Sequence, residues 1–557
     1  MIHPDAAAAR TWDAVVVGTG MGGATIGHAL ARAGWRVLFL EKGRADIRAA
    51  HQDGASAVRL AGDYPELIAG DPRPGSESWI DALQRGGRAT EAITDRSRAR
   101  PRRFVPFMGC GAGGSSALYG MALERFFPAD FTPAAHLRAP GSTAPPRWPV
   151  TYDDLAPWYA AAEALYGVRG GADPLRIRAQ EDALPPGPRL SPQGAALSGM
   201  LAQHGLHPYR LPLACEWVEG CQGCQGYLCA RACKHDAAST CLHPALERHG
   251  AELLDRCEVV RLDADAAQVT ALVCRRDDRE LRVRGRIVIL AAGALATPAL
   301  LLRSASSTWP DGLVNRSGMV GRNLMRHFVD LYAVAPKAGE PASTHAKEIG
   351  SSDFYLTADA KLGALQSFGP MPPAELIADG LEASLAAVLG PTAARPFRAL
   401  ARPLIVRTLR RLFARAEILA TILEDPPYAD NAVTLADPAA SHAGIAIRYR
   451  IHAADAVRIR DLRVRVRAAL AGRRVRLVRQ AESNERLAHV CGTCRFGDDP
   501  GTSVLDGNNK AHDIDNLYVV DASFFPSSGG TNPALTIAAN ALRVAAHLTA
   551  QGRRDVS

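Results

Sequence analysis

The chain has 557 residues, 47% of them hydrophobic and 22% charged, enough for a large buried core and for more than one simple domain. Its formal charge of +8 is carried mostly by arginine, and basic clusters with interleaved aromatics are absent, which argues against nucleic-acid binding. No apolar run of about eighteen residues appears, and Met1–Asp13 has neither a basic start nor an apolar stretch, so a cytoplasmic chain without a secretory signal is expected.

Asp13 to Val17 reads as a short buried strand that runs into Gly18-Thr19-Gly20-Met21-Gly22-Gly23. A helix follows, with Ile26, Leu30 and Ala33 on one face and Gly34 as its stop; then comes a second strand, Val37 to Leu40, ending at Glu41. Strand, glycine turn, helix, strand and acid in that order predict a dinucleotide site. Gly18, Gly20, Gly22 and Gly23, with Met21 among them, let the backbone approach a pyrophosphate at a helix N-terminus, and Glu41 accepts from a ribose. The turn alone does not choose between NAD and FAD. Further along, Cys257-Glu258-Val259-Val260 reads as a strand, and Ile287 to Leu290 as another that ends at Ala291-Ala292-Gly293.

Six of the eleven cysteines fall between Cys215 and Cys241. Disulfide frameworks do not crowd that way in a large chain, so metal or redox chemistry comes first. Cys224, Cys229 and Cys233, with four and three residues between them, are candidate ligands for an iron–sulfur cluster or zinc. Disulfides or buried free thiols are the alternative.

From Ala394 to Glu424 the pattern reads as helical, with Leu400, Leu404, Leu412, Phe413 and Ile418 apolar, Pro403 dividing it, and Arg398, Arg402, Arg407, Arg410, Arg411 and Arg415 interspersed. Such a segment serves as a lid with a solvated arginine face, or as a peripheral contact on an anionic membrane. Asn431 to Leu435 and Ile445 to Ile451 read as strands. Near the end, Asn532-Pro533 precedes a helical run from Ala534 to Leu548, where asparagine suits the cap and proline the first position. Cys491 and Cys494 read as buried thiols.

The scattered segments resemble one family in order. Gly109-Cys110-Gly111-Ala112-Gly113-Gly114-Ser115-Ser116, followed by Tyr119 and Arg125, resembles the first signature of the glucose–methanol–choline (GMC) oxidoreductases. Gly293-Ala294-Leu295-Ala296-Thr297-Pro298 resembles their second; Val320 to His327 and the C-terminal block match further segments. The resemblance implies an α/β fold: a Rossmann-like FAD-binding domain plus a discontinuous α+β substrate domain with an antiparallel sheet. It places FAD binding in residues 1–150, 215–330 and 485–557, and substrate binding in 151–214 and 331–484, with an amphipathic insertion at about 394–424. The strands at 431–435 and 445–451 are expected in a sheet that roofs the flavin.

The same resemblance implies FAD held against Gly113, Gly114, Ser115 and Ser116, with Tyr119, Val259, Ala292, Gly293, Asp521, Ala522, Asn532 and Pro533 as further contacts. Leu118 fills the place where one branch tethers FAD through histidine, so the cofactor is expected to be non-covalent. His489, opening His489-Val490-Cys491-Gly492-Thr493, matches the family's active-site histidine. Alcohol oxidation needs a base for the hydroxyl proton while hydride leaves for the flavin, and imidazole titrates in the right range. His489 is expected as that base and Asn532 as the partner of the substrate oxygen. The partners implied are a small-molecule alcohol and an external electron acceptor or partner redox protein. A dehydrogenase is expected ahead of an oxidase, since an iron–sulfur cluster would carry electrons from the flavin to an external acceptor. A flavin-dependent lyase or decarboxylase, or an electron-transfer subunit with a vestigial site, is the rival reading.

Overall fold

The computed structural model describes residues 1–45, 84, 86–137, 139–176, 184–219, 221, 223–226, 228, 229, 231–340, 343, 346–369, 378, 401–437, 444–487 and 489–552. The central sheet starts where the sequence is most apolar. Strand β1 (Thr11–Val17) and strand β2 (Val37–Leu40) are buried almost throughout, as strands covered on both faces must be. They pair in parallel, and helix α1 (Met21–Arg32) crosses between them. Gly34, at φ 81°, turns the chain out of that helix.

The rest of this sheet arrives from far along the chain. Strand β3 (Ile93–Asp95) and strand β4 (Arg102–Phe104) form elsewhere, helix α2 (Tyr152–Leu165) packs against the last helix of the chain, and strand β5 (Tyr209–Arg210) joins a different sheet. Strand β6 (Glu252–Leu254) adds in parallel beside β2. Strands β7 (Glu258–Ala264), β8 (Val269–Arg276) and β9 (Arg279–Leu290) form an antiparallel meander. The second half of β9, which contains the expected strand 287–290, lies parallel to β1.

A second sheet of six antiparallel strands carries strand β10 (Phe328–Val334), β11 (Ile349–Ser351), β12 (Gly363–Ser367) and β13 (Glu417–Leu423). Here one expectation fails. The helix α3 (Arg402–Phe413) stops at Phe413, and residues 417–423 form the central strand β13, buried at every position. The run Glu-Ile-Leu-Ala-Thr-Ile-Leu is apolar on both faces, so it carries no strand alternation to be read. Pro403 sits in the first turn of this helix, where its missing N–H costs nothing. Residues 394–400, including Arg398 and Leu400, lie outside the described residues.

The strands expected at 431–435 and 445–451 exist as β14 (Ala432–Leu435) and β15 (Ile445–Arg448), but they do not roof anything with β10 to β13. They pair with each other and, through Ala446 and Ile447, with β3, making a separate four-stranded sheet with β4. Strand β16 (Val475–Val478) closes one edge of the six-stranded sheet and β5 the other. The last strand, β17 (Leu517–Val519), returns to the central sheet and pairs in parallel with β9. The closing helix α4 (Ala534–Gln551) packs against α1. No helix among the described residues is long and apolar enough to cross a membrane.

Candidate active site

Three strand ends converge. Strands β1, β9 and β17 lie side by side and in parallel, so Gly18–Gly23, Ala292–Gly293 and Asp521–Ala522 emerge at one edge, the carboxyl edge where such sheets bind ligands. The glycines there have different duties. A Cβ on Gly22 would stand 2.2 Å from the Val520 carbonyl oxygen, and one on Gly23 would stand 2.2 Å from that of Gly18, so both are required for packing. A Cβ on Gly20 or Gly293 would meet no protein atom within 4 Å. Gly20 is also the cap of α1 and offers no side chain to its first N–H groups. An open backbone at an uncapped helix start is the fit a pyrophosphate needs.

Glu41 is buried, and burial pushes its carboxyl pKa up against four hydrogen bonds. Its oxygens accept from Thr19 N (3.0 Å), Thr19 Oγ1 (2.6 Å), Gly43 N (2.9 Å) and Gly111 N (3.1 Å). It therefore ties the turn to the loop that leads into Gly113. Lys42 pairs with Glu258 at 2.9 Å, so the strand carrying buried Val259 begins beside it. Asp521 works the same way at the other end: Oδ2 accepts from Gly293 N (2.9 Å) and Thr297 Oγ1 (2.5 Å), and Oδ1 from Ser523 N (2.9 Å).

Gly113 and Gly114 have φ of 86° and 51°, left-handed values that open a short 3₁₀ turn, Gly114–Leu118. Ser116 Oγ donates to Gly113 O at 2.6 Å and accepts from Ala237 N at 3.0 Å, while Ser115 Oγ accepts from Gly109 N at 3.1 Å. Tyr119 is committed to the protein: its hydroxyl donates to His235 O at 2.5 Å.

His489 is brought in by a backbone bridge in which Met325 and Cys491 exchange both hydrogen bonds at 3.0 Å. Gly492 follows at φ 91°, and a Cβ there would lie 2.5 Å from Asn323 O. The bridge sets His327 beside His489, with their Nδ1 atoms 2.7 Å apart. His327 Nε2 lies 2.9 Å from Gly529 O and 3.2 Å from Ser528 O. A carbonyl can only accept, so His327 Nε2 carries a hydrogen. In the neutral ring its Nδ1 then holds a lone pair, and His489 must donate through Nδ1–H. The free lone pair of His489 is on Nε2, which no described protein group engages.

Burial, then His327 and then Lys347, hold the His489 pKa well below its ordinary 6.5. Burial likewise takes His327 to about 4. Lys347 is itself lowered to about 8 by burial, opposed by Glu124.

Asn532 is not the helix cap. Pro533 holds that position with no side-chain bond, and α4 starts at Ala534. The amide instead spends both N–H bonds on protein: Asn532 Nδ2 donates to Gln366 Oε1 at 3.0 Å and to Glu124 Oε2 at 3.4 Å. Glu124 also accepts from Thr531 Oγ1 (2.7 Å) and Tyr209 hydroxyl (2.5 Å). The atom left for a ligand is Asn532 Oδ1, an acceptor. His327, Glu124, Gln366 and Lys347 escaped the sequence reading, because contacts between distant segments bring them together: the Met325–Cys491 bridge for His327, β12 for Gln366, the Thr531 and Tyr209 bonds for Glu124 and the Gln225 bond for Lys347. Cys491 and Cys494 are free buried thiols, as expected. Of the expected three, Cys229 lies 3.5 Å from Cys233 and Cys224 lies against Cys229, while Cys215, Cys221 and Cys233 all lie within 4.8 Å of one another.

Residues 13–329 match the N-terminal part and 427–541 the C-terminal part of the GMC oxidoreductases. The chain is 31% identical to paromamine 6'-oxidase of Streptomyces fradiae, over 96% of this chain and 91% of that one. It is 29% identical to 6'''-hydroxyparomomycin C oxidase of Streptomyces lividus, over 97% and 92%. Against 2-methyl-1,2-propanediol dehydrogenase of Mycolicibacterium austroafricanum, identity is 25% over 96% and 95%. The crystal structure of pyridoxine 4-oxidase from Mesorbium loti superposes with a TM-score of 0.61 at 21% identity, covering 97% of this chain and 99% of that one. Two family matches, full-length relatives and a glycine-lined crevice at the strand ends lead to one conclusion: the chain belongs to the GMC oxidoreductases, FAD-dependent enzymes that act on CH–OH groups.

Proposed function

We propose that this enzyme oxidises an alcohol with His489 Nε2 as the base that takes the hydroxyl proton. The observation that carries this is the hydrogen-bond pattern of His327, which leaves a lone pair on His489 Nε2 and nowhere else on that ring. When bound, FAD supplies the acceptor for the hydride leaving the same carbon. The single hydroxyl hydrogen goes to His489 Nε2, so Asn532 Oδ1 accepts from a second polar hydrogen of the substrate, and the Gln366 and Glu124 contacts hold that amide in one orientation. Gly20 and Gly293 receive the pyrophosphate, and Gly113 to Ser116 back the flavin. FAD is bound without a covalent link, Leu118 being a buried aliphatic side chain.

In this reading residues 1–150, 215–330 and 485–557 serve the cofactor and 151–214 and 331–484 the substrate, with β3 pairing across that division with β15. The names of the relatives at 29% and 31% identity favour oxygen as acceptor, and that of the relative at 25% favours another. We take oxidase as the reading to test, with paromamine, 6'''-hydroxyparomomycin C and 2-methyl-1,2-propanediol as first substrates. Helix α3, with exposed Leu404, Arg407, Arg410 and Arg411, is the surface for any peripheral membrane contact.

The test is anaerobic bleaching of the flavin by each alcohol in wild type and His489→Ala. Loss of bleaching by a factor on the order of 10² to 10⁴ is expected from removal of a general base. Unchanged rapid bleaching in the variant overturns the assignment.

A further inference from the structure

The thiols of Cys215, Cys221 and Cys233 all lie within 4.8 Å of one another. The sulfur of Cys215 is 3.8 Å from that of Cys221, Cys221 is 3.6 Å from Cys233, and Cys233 is 3.5 Å from Cys229. The backbone builds this convergence. Cys215 bridges antiparallel to Lys234, Glu216 N donates to Cys233 O at 2.8 Å, and Cys221 N closes a turn on Val218 O at 3.0 Å. Cys215, Cys229 and Cys233 are buried, and Cys221 is half-buried.

Disulfides do not account for the set. Their bond is about 2.05 Å, and one sulfur bonds one partner, whereas Cys233 faces both Cys221 and Cys229. An iron–sulfur cluster fits poorly as well. Its thiolates sit on separate irons, so the iron–iron edge holds them farther apart than touching distance. A single tetrahedral ion is different: a metal–sulfur bond of about 2.3 Å places neighbouring sulfurs about 3.8 Å apart. Within the converging set, the sulfur pairs at 3.6 and 3.8 Å match that edge.

We propose that Cys215, Cys221 and Cys233 hold one mononuclear ion of the zinc class, as thiolates whose protons are released to solvent on binding, with Cys229, 3.5 Å from Cys233, the thiol nearest to a fourth position. Cys224 lies against Cys229, outside the three thiols that converge on one another. The ion is structural, and its position gives it a purpose. Directly after Cys233, Lys234 Nζ donates to Ala117 O at 2.9 Å and Ala237 N to Ser116 Oγ at 3.0 Å, while His235 O accepts the Tyr119 hydroxyl. The ion thus anchors the segment that supports the Gly113–Ser116 turn.

The test is metal analysis of the native holoenzyme together with an assay for acid-labile sulfide. A single equivalent of zinc per chain, no labile sulfide, and loss of the metal in Cys221→Ser and Cys233→Ser but not in Cys110→Ser support the proposal. Iron with labile sulfide overturns it. So does metal-free protein that, on titration with Co(II), develops no saturable thiolate-to-cobalt charge-transfer band with the visible bands of a tetrahedral site. Both of these readouts use the wild-type chain, so the outcome stands even where a serine variant fails to fold.

Discussion

The Nδ1 atoms of His327 and His489 lie 2.7 Å apart, and only one of them carries the proton that joins them. The carbonyls of Ser528 and Gly529 decide which, by fixing the hydrogen of His327 on the far nitrogen. His327 touches no reacting atom in this scheme; it positions the base and selects its tautomer. When His489 takes a proton on Nε2, its Nδ1–H keeps an acceptor throughout.

Replacing His327 by leucine removes that acceptor and frees His489 to place its hydrogen on either nitrogen. Flavin reduction should slow by on the order of 10²-fold, the lower end of what general-base catalysis contributes. His327→Gln, whose amide oxygen can accept, should recover part of the rate. Stopped-flow reduction under anaerobic conditions measures both, and equal rates in all three proteins would remove His327 from the scheme.

The pH dependence follows from two depressed imidazoles. His489 is held well below 6.5 by burial, His327 and Lys347, so it is already a neutral base at neutral pH. The acid limb of kcat/KM should therefore fall well below pH 6.5, not at it. Stability moves in the same direction. His327 drops from 6.5 to about 4 on folding, so the unfolded chain binds more protons in that window and stability falls as the pH is lowered through it. Thermal melts across the window should show the slope, and His327→Gln should flatten it.

Gly20 and Gly22 separate cofactor binding from folding. Gly22→Ala would force a Cβ to 2.2 Å from Val520 O and should destabilise the protein by about 1–3 kcal/mol, the usual cost of overpacking. Gly20 has φ −70°, which alanine accepts, and open space where its Cβ would go. Gly20→Ala should fold normally and lose FAD affinity by about tenfold or more, about 1.4 kcal/mol. Differential scanning of the apoprotein and FAD titration distinguish the two.

Lys361 lies in the interior between two carboxylates, 2.7 Å from Asp130 and in contact with Glu424. Asp130 also accepts from Tyr355 hydroxyl at 2.7 Å, and that hydroxyl accepts from Gly530 N at 2.8 Å. Lys361→Met would leave two buried acids without their cation and should cost about 3–5 kcal/mol. Because Gly530 lies two residues before Asn532, the variant should also raise KM. Denaturant melts and steady-state kinetics test each half of this.

The cofactor half could be read from the sequence because its requirements are local. Gly18 to Gly23, the flanking strands and Glu41 sit within thirty-one residues, from Thr11 to Glu41, and each constraint leaves a residue type behind. The substrate half is set by pairing between distant segments. Strand β13 has no alternation to reveal it, and β15 finds β3 through a contact some 350 residues apart, Ile447 with Asp95. His327 looked like one more residue of a family segment until the Met325–Cys491 bridge placed it against His489. For Asn532 the residue type alone does not show that Gln366 and Glu124 take both N–H bonds of the amide and leave its oxygen open.

Strand β17 carries a consequence for how the protein is made. Thr11–Val17 leaves the ribosome early, yet the sheet it founds is completed only by Leu517–Val519, and Asp521 arrives later still. Nascent chains must shelter an unfinished hydrophobic edge until Leu517–Val519 has been made. FAD loading should accordingly follow release rather than accompany translation, and a premature stop before β17 should yield a chaperone client, not a slow enzyme.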